Sequence, residues 1–507
     1  MLSKISIISA LSAMAIPAIA TAANGDAEPK EAAKKKNVIF ILTDDMRLDM
    51  ASFGGGKHET PNLDALKAES VNFANACTTT GLSSPSRAAL FTGRLGHRTG
   101  LDDNLNLWHC ENLTLEKEHT TIYEWASKAG YDVAYFGKWH VGYISPGDRG
   151  AQHCEINARE AVIEKQNRPD YNALDRYYPN EKGKVEKFEE KPEYYATLKT
   201  PYEKTEAKKQ VDLGIKYINE LDKNAEEPFF LTLSFHTPHP SYKVPAPWNT
   251  MYNYKDVELP ESLHHRQDGL DFQYDILWPW MNVGHMSDDD WRKTVSYSMG
   301  LCTMFDTALG EFFDELKAKG LWDDTMIIFT SDQGTMLAEH GLYDKGPYAY
   351  EGLMRIPMLI KMPHGEASEV EHQVSLIDLN QTMVDYMNLQ PCDANLDSRS
   401  LMPLVKGGDE AWKNVPDEAF YRYERYNGRW FGVRTIRTPE FKYSFNPSGS
   451  DQLYDLKNDP NEMTNLIDDE KYKDTLYDLR VRLLKHLKEC DDTKSFRMMS
   501  GFTKISL

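Results

Sequence analysis

Five short apolar runs constrain this chain most: residues 38–42, 133–136, 229–235, 326–330 and 356–360. None shows a clean apolar/polar alternation, so each reads as a strand buried on both faces. Segments with helical periodicity, 120–129 and 293–319, lie between some of them. Strand and helix in alternation imply a doubly wound α/β sheet. Ligands bind such sheets beyond the carboxyl ends of the strands, so the residues just after each run carry the functional information.

Four of those tips read Thr43-Asp44-Asp45, Gly137-Lys138-Trp139-His140, His236-Thr237-Pro238-His239 and Ser331-Asp332-Gln333-Gly334. Asp44 beside Asp45 would repel unless something neutralises the pair, and Asp332 with Gln333 brings two more oxygen donors. Three carboxylates and an amide suit a hard cation, Ca²⁺ first and Mg²⁺ second. Taken singly, an Asp pair after a strand is more often a helix cap. Lys138 and His140, two apart on an extended segment, would point the same way, toward a substrate oxyanion. His236 reads as a structural histidine.

Between the first two tips lies Ser83-Ser84-Pro85-Ser86-Arg87-Ala88-Ala89-Leu90-Phe91-Thr92-Gly93-Arg94. A proline after a serine pair, then helix formers and a closing glycine, predicts a short helix with Ser84 near the N-cap, Pro85 at the first helical position and Gly93 at its end. Ser83 would then sit at a helix N-terminus, where free backbone N–H groups and the helix dipole favour a tetrahedral oxyanion. Arg87, four residues on, would reach back to the same spot. An ordinary capped helix with a surface arginine is the plainer alternative.

The stretch resembles the signature of the type I, formylglycine-dependent sulfatases: a Cys or Ser, one residue, Pro, Ser and Arg, then a Leu and a Thr-Gly-Arg ending. Family-like stretches flank it from residue 37 to residue 466. The resemblance implies an alkaline phosphatase-like α/β fold, a large mixed sheet sandwiched by helices with a smaller C-terminal α+β subdomain. It implies that Ser83 is oxidised to formylglycine and that Asp44, Asp45, Asp332, Gln333 and Ser83 hold the metal. Gln333 stands where the family often has Asn or His. Arg87, Lys138, His140, His239 and Lys345 take the family's catalytic positions, with Lys138 and Lys345 on the sulfate, His140 beside the formylglycine hydroxyls and His239 on the bridging oxygen. Formylglycine, as its hydrate, would attack sulfur and then expel sulfate. A serine at position 83 further implies maturation in the cytoplasm by a radical enzyme, before export.

Residues 1–22 carry Lys4, an apolar run and small residues at Ala18, Ala20 and Ala22, the pattern of a secretory signal, and 23–36 reads as a disordered linker. Export to the periplasm or the medium follows. The rest has no apolar run long enough to span a bilayer. The formal net charge of −20 becomes −21 once the signal takes Lys4 with it, because 1–22 holds no other Asp, Glu, Lys or Arg. Such acidity argues against a nucleic-acid partner, and an anionic substrate needs a local basic pocket. Six scattered cysteines show neither a dense disulfide framework nor a zinc spacing. A catalytic domain over 37–415 is followed by a C-terminal subdomain over 416–507, where strands at 430–435 and 441–445 precede a helix at 471–487. Insertions at 151–209 and 249–291, the latter with Leu277-Trp278-Pro279-Trp280, would shape the pocket.

Further pocket residues are Arg47, Trp108, His109, His153 and His340, the last of which either contacts substrate or holds its loop. These features together suggest an exported, calcium-dependent sulfatase acting on a sulfated glycan or saccharide. A phosphodiesterase or phosphonate ester hydrolase on the same fold, and a non-catalytic binder of sulfated glycans, are the rival readings.

Overall fold

The computed structural model describes residues 36–105, 114–156, 194–222, 227–270, 272–274, 281, 283–391, 396–408 and 412–507. The apolar runs lie in a sheet of eight strands: β1 (Asn37–Thr43), β2 (Val71–Phe73), β3 (Asp132–Gly137), β4 (His153–Ile156), β5 (Phe229–Ser234), β6 (Thr325–Ser331), β7 (Met358–Lys361) and β8 (Ser368–Val370), in the order β8-β2-β7-β6-β1-β5-β3-β4. Strands β6, β1, β5, β3 and β4 are parallel, whereas β7 runs antiparallel to both β6 and β2. The sheet is therefore mixed.

The inner strands are largely apolar because both faces are covered, whereas the edge strands β4 and β8 are polar and exposed. Along β1, Val38, Phe40 and Leu42 enter one core while Ile39 and Ile41 enter another. Helices α1 (Ser83–Thr92), α2 (Ile122–Lys128), α3 (Glu206–Glu220), α4 (Asp288–Ala318) and α5 (Asp378–Met387) supply the cover. The first core takes Leu90 and Phe91 of α1, Ile122 and Trp125 of α2 and Met383 of α5; the second takes Val211 of α3 and Phe305 and Phe312 of α4. Helix α4 starts earlier than its apolar periodicity indicates, because Ser287 and Asp290 form a reciprocal capping box one turn upstream.

Register fixes the site. Leu42 of β1 pairs with Ser234 of β5, Thr43 with Ser331 of β6, and Gly137 of β3 with Ser234, so four parallel strands end level on one rim. Helix α1 begins at Ser83 with Leu82 as its N-cap, and Pro85 is its third residue, not its first. The first turn has no intrahelical acceptor for its N–H groups, so proline is tolerated there as readily as at the opening position. Gly93 closes the helix in the left-handed conformation (φ 70°).

Near the C-terminus, β9 (Ala419–Tyr426), β10 (Arg429–Arg437), β11 (Phe441–Phe445) and β12 (Gln452–Asp455) form an antiparallel meander, its first turn made by Asn427-Gly428 with positive φ at both residues. Helix α6 (Lys473–Glu489) lays Leu479, Leu483, Leu484 and Leu487 on Ile436, Tyr443, Phe445 and Leu453. The opposite face, with Tyr421, Tyr423, Phe431 and Val433, joins the core of the large sheet, and Lys36–Leu507 form one compact unit. No described helix is long and apolar enough to cross a membrane.

Phe91 anchors α1: it stacks on Trp139 (5.0 Å, 9°) and meets the edges of Tyr123 and Tyr135. Phe91→Ala is expected to lower the unfolding free energy by about 3–5 kcal/mol in chemical denaturation. A loss under about 1 kcal/mol would mean that this cluster does not hold the helix.

Candidate active site

Adjacent residues of an extended strand point to opposite faces, so Asp44 and Asp45 would diverge if β1 simply continued. They do not, because Asp45 adopts the left-handed conformation (φ 61°) and its N–H donates to Asp332 Oδ1 (3.3 Å). Both carboxylates thereby face one point with Asp332, and the three lie within 4.8 Å of one another, fully buried. Gly137 does the equivalent work at the end of β3: at φ 110° it lets Lys138 N–H reach Ser234 O (2.8 Å), and a Cβ at this position would fall 1.9 Å from that same oxygen.

Ser83 sits at the centre. Its Oγ donates to Asp44 Oδ1 (2.7 Å) and lies 3.2 Å from Lys138 Nζ and 2.9 Å from Gln333 Nε2. Lys138 Nζ also donates to Asp44 Oδ2 (2.5 Å). Lys345 Nζ bridges both Asp45 oxygens (2.9 and 2.7 Å) and donates to His239 Nε2 (2.9 Å). His140, buried, follows Lys138 by two residues in the left-handed conformation (φ 59°).

The electrostatics follow from burial and from three acids facing three bases. Burial raises Asp45 and Asp332 above the usual carboxylate range; Asp44 adds repulsion to both, against the opposing pull of Lys345 on Asp45 and of Arg87 on Asp332. Burial works against ionised Asp44 as well, but Lys138, His239 and His236 outweigh it and hold that carboxyl well below the range. Burial lowers Lys138, against the pull of Asp44, whereas Asp344, Asp45 and Asp44 outweigh burial and raise Lys345. Burial and then the Lys345 charge push the His239 imidazole well down.

This donor set fits a hard divalent cation. Three convergent carboxylates surround Ser83 Oγ, and the Gln333 carboxamide turns its N–H₂ to Asp44, Asp45 and Ser83 while its buried Oε1 has no donor. Rotating that amide by half a turn would present the oxygen to the same point, giving five oxygens for one ion.

Several expectations are corrected. Arg87 does not reach back to the helix N-terminus: its guanidinium, fully buried, donates to Asp332 Oδ2 (2.7 Å), Ser234 Oγ (2.7 Å) and Lys138 O (3.0 Å). It positions the ligands instead of facing a substrate. Arg47 is bound by Asp49 (2.5 and 2.9 Å) and Glu339 (2.6 Å), which neutralise it. His340 holds its loop, stacked on Tyr350 (4.1 Å) with Nδ1 3.2 Å from His265 Nδ1. His153 pairs with Asp132 at the start of β3, the end of the strand opposite the site. Trp108, His109 and the 277–280 aromatic run lie outside the described residues. His236, read from the sequence as structural, does belong here: Nδ1 lies 2.8 Å from Asp44 Oδ2 and the ring stacks on His239 (4.4 Å). Its place one residue beyond the Phe229–Phe235 run, as Asp44 is one beyond Thr43, was the available signal.

A mixed doubly wound sheet whose carboxyl rim gathers three acids, two lysines and a hydroxyl at a helix head has the alkaline phosphatase-like fold. A model of the sulfatase family matches residues 36–389, and one described as N-sulphoglucosamine sulphohydrolase, C-terminal, matches residues 338–489. The chain belongs to the sulfatase family. It is 26% identical to the N-acetylglucosamine-6-O-sulfatase of Bacteroides thetaiotaomicron, over 91% of this chain and 88% of that protein. Its fold matches the phosphonate monoester hydrolase of Agrobacterium radiobacter (TM-score 0.73, 24% identity, 90% of this chain and 96% of that one). It likewise matches BT4656 bound to its substrate D-glucosamine-2-N,6-O-disulfate (TM-score 0.72, 21% identity, 90% and 99%).

Arg87→Met would strand the buried Asp332 carboxylate and is expected to destabilise the fold by about 3–5 kcal/mol, with Asp332→Asn in the same chain recovering part of the loss. Strictly additive effects in that double-mutant cycle would show that the pair is not coupled.

Proposed function

We propose that this protein hydrolyses sulfate esters of a glycan or saccharide, using formylglycine made from Ser83. The observation that carries the reading is the position of Ser83 Oγ, at the head of α1 and within hydrogen-bonding distance of Asp44, Lys138 and Gln333, beside three convergent carboxylates. The glycan preference is supported by the activity in the name of the N-acetylglucosamine-6-O-sulfatase and by the disulfated glucosamine bound to BT4656.

Hydrated formylglycine supplies a hydroxyl nucleophile and, on collapsing back to the aldehyde, releases sulfate without water having to attack a sulfate ester. Ca²⁺, or Mg²⁺ as second choice, held by Asp44, Asp45, Asp332, Gln333 and residue 83, supplies positive charge at the sulfuryl oxygens. The chain's own groups do the rest. Lys138 and Lys345 set two ammonium groups around the substrate sulfate. His239, whose Nε2 lies 2.9 Å from Lys345 Nζ, serves the departing alcohol as its proton donor. His140 acts as the base toward the residue at position 83. Arg87 fixes Asp332, and His236 braces Asp44 and the His239 ring.

In this reading the protein is exported through its 1–22 segment to the periplasm or the medium, after a radical maturase has oxidised Ser83. Phosphonate or phosphate diester hydrolysis is the second reading, favoured by the fold shared with the phosphonate monoester hydrolase.

Two measurements test the proposal. In protein from its native host, the tryptic peptide 68–87 should lack two hydrogens at Ser83, and a panel of sulfated saccharides should release free sulfate; an unmodified serine, or release of phosphate only, would sink the reading. Lys345→Ala should lower turnover by about 10²–10³. Chelation should abolish activity and lower the thermal midpoint, since Asp44, Asp45 and Asp332 then repel one another, with Ca²⁺ restoring both. Unchanged activity and melting in chelator would overturn the metal assignment.

A further inference from the structure

A cavity of about 430 Å³ lies between the C-terminal meander and the large sheet, walled by β9, α6, Thr79, Ile377, Asp378, Leu396, Asp397 and Arg399, and lined by none of the catalytic side chains. Its size falls within the range of small-molecule sites. The charges in its wall are nearly balanced by count but not by commitment.

Four of the five acids are held by hydrogen bonds, and the fifth, Glu489, pairs with Lys485 at 3.8 Å. Asp378 accepts the N–H groups of Ser375 (3.0 Å) and Arg399 (2.8 Å), and Asp397 accepts from Leu95 N–H (2.9 Å) and Arg98 (3.0 Å). Glu418 is held by Arg482 (2.6 Å), and Asp492 by Arg434 (2.8 Å) and Ser495 N–H (3.3 Å).

Three donors are held more loosely. The Arg399 guanidinium lies over the Trp412 ring (5.0 Å), and its charge favours the ionised Asp378 carboxyl without a hydrogen bond to it. Arg422 contacts His97 Nδ1 and forms loose ion pairs with Asp102, Glu424 and Asp492 at 3.7, 3.8 and 3.9 Å, longer than hydrogen bonds. The His486 ring stacks on Phe420 (3.6 Å, 5°) and has no hydrogen-bond partner among the described residues. Burial, with the charges of Arg399 and Arg422 beside it, lowers that imidazole to about 3. Leu396, Leu483 and Leu487 complete an apolar wall.

We propose that this cavity is a second ligand site, separate from the catalytic pocket, which takes a sugar-sized molecule bearing a tetrahedral oxyanion gripped by Arg399, Arg422 and the imidazole of His486. Guanidinium groups suit such an oxyanion because they donate in pairs, and an apolar wall receives the body that carries it.

The test is calorimetric titration of benzenesulfonate, whose carbon–sulfur bond is not an ester, into the full chain carrying Lys345→Ala to weaken the catalytic pocket. Binding is expected to persist, to be displaced by inorganic sulfate or phosphate, and to weaken about tenfold or more on adding Arg399→Ala or His486→Phe. Arg399 is exposed, so its variant should fold even if the His486 variant does not, and Arg399→Ala alone should leave sulfate-ester turnover unchanged. No binding in the Lys345→Ala chain, affinity unaffected by Arg399→Ala, or failure of both inorganic ions to compete would each overturn the proposal. Because binding and not turnover is read, the result stands apart from whether the catalytic assignment is right.

Discussion

The Arg87–Asp332 ion pair, closed at 2.7 Å with neither side chain reaching solvent, ties the helix that carries Ser83 to the strand that carries a metal-suited carboxylate. A buried pair of this kind contributes little net stability over an apolar substitute, because desolvation offsets most of its Coulomb gain. Its value is geometric. The planar guanidinium donates in fixed directions to Asp332, Ser234 and the Lys138 carbonyl, just beyond β6, on β5 and just beyond β3, so one side chain sets the spacing of three strand ends. Lys138 and Lys345 complete the balance against Asp44 and Asp45, and every group at the centre of the site is held by an opposite charge.

The C-terminal meander takes part in this order. Tyr421 of β9, buried, receives the Gly81 N–H (3.2 Å) and donates to the Tyr348 carbonyl (2.9 Å). One hydroxyl thus spans the loop two residues before Ser83 and the loop three residues after Lys345. Gly81 leaves room for it: a Cβ there would lie 2.7 Å from that oxygen. Farther out, Arg437 and Lys442 clamp Glu351, whose N–H donates to Glu462 (2.7 Å), fixing the short helix Glu351–Met354 that follows the Lys345 loop. The meander shares a core with the large sheet, and its removal would leave these catalytic loops without their outer supports.

Much of the arrangement was legible in the residues. Both-face burial makes a strand apolar throughout, and the parallel rule then sends every tip to one rim, so Asp44, Lys138, His239 and Asp332 could be grouped before any coordinates. The partners of Arg87 and Arg47, and which of its two expected roles His340 takes, were not legible, for one reason. A charged or aromatic side chain near a site in sequence reveals its reach but not which partner lies at the end of it, and here Asp332, Asp49 with Glu339, and Tyr350 with His265 are the partners. His236 was read as structural because its contact, Asp44, is 192 residues away in the chain.

The sequence by itself determined the α/β class, the helix around Ser83 with its closing glycine, the chemistry of the strand tips and the likeness to the sulfatases. Those depend on local periodicity, backbone preference and residue type, which a chain carries wherever it goes. Tertiary structure alone decided that Asp44 and Asp45 converge, since this requires a left-handed residue held by a carboxylate from β6. It likewise decided that Arg87 faces inward, and that Arg399, Arg422 and His486 meet in one cavity. Direction and charge pairing are properties of elements once packed, and for these groups the partners come from distant stretches of chain.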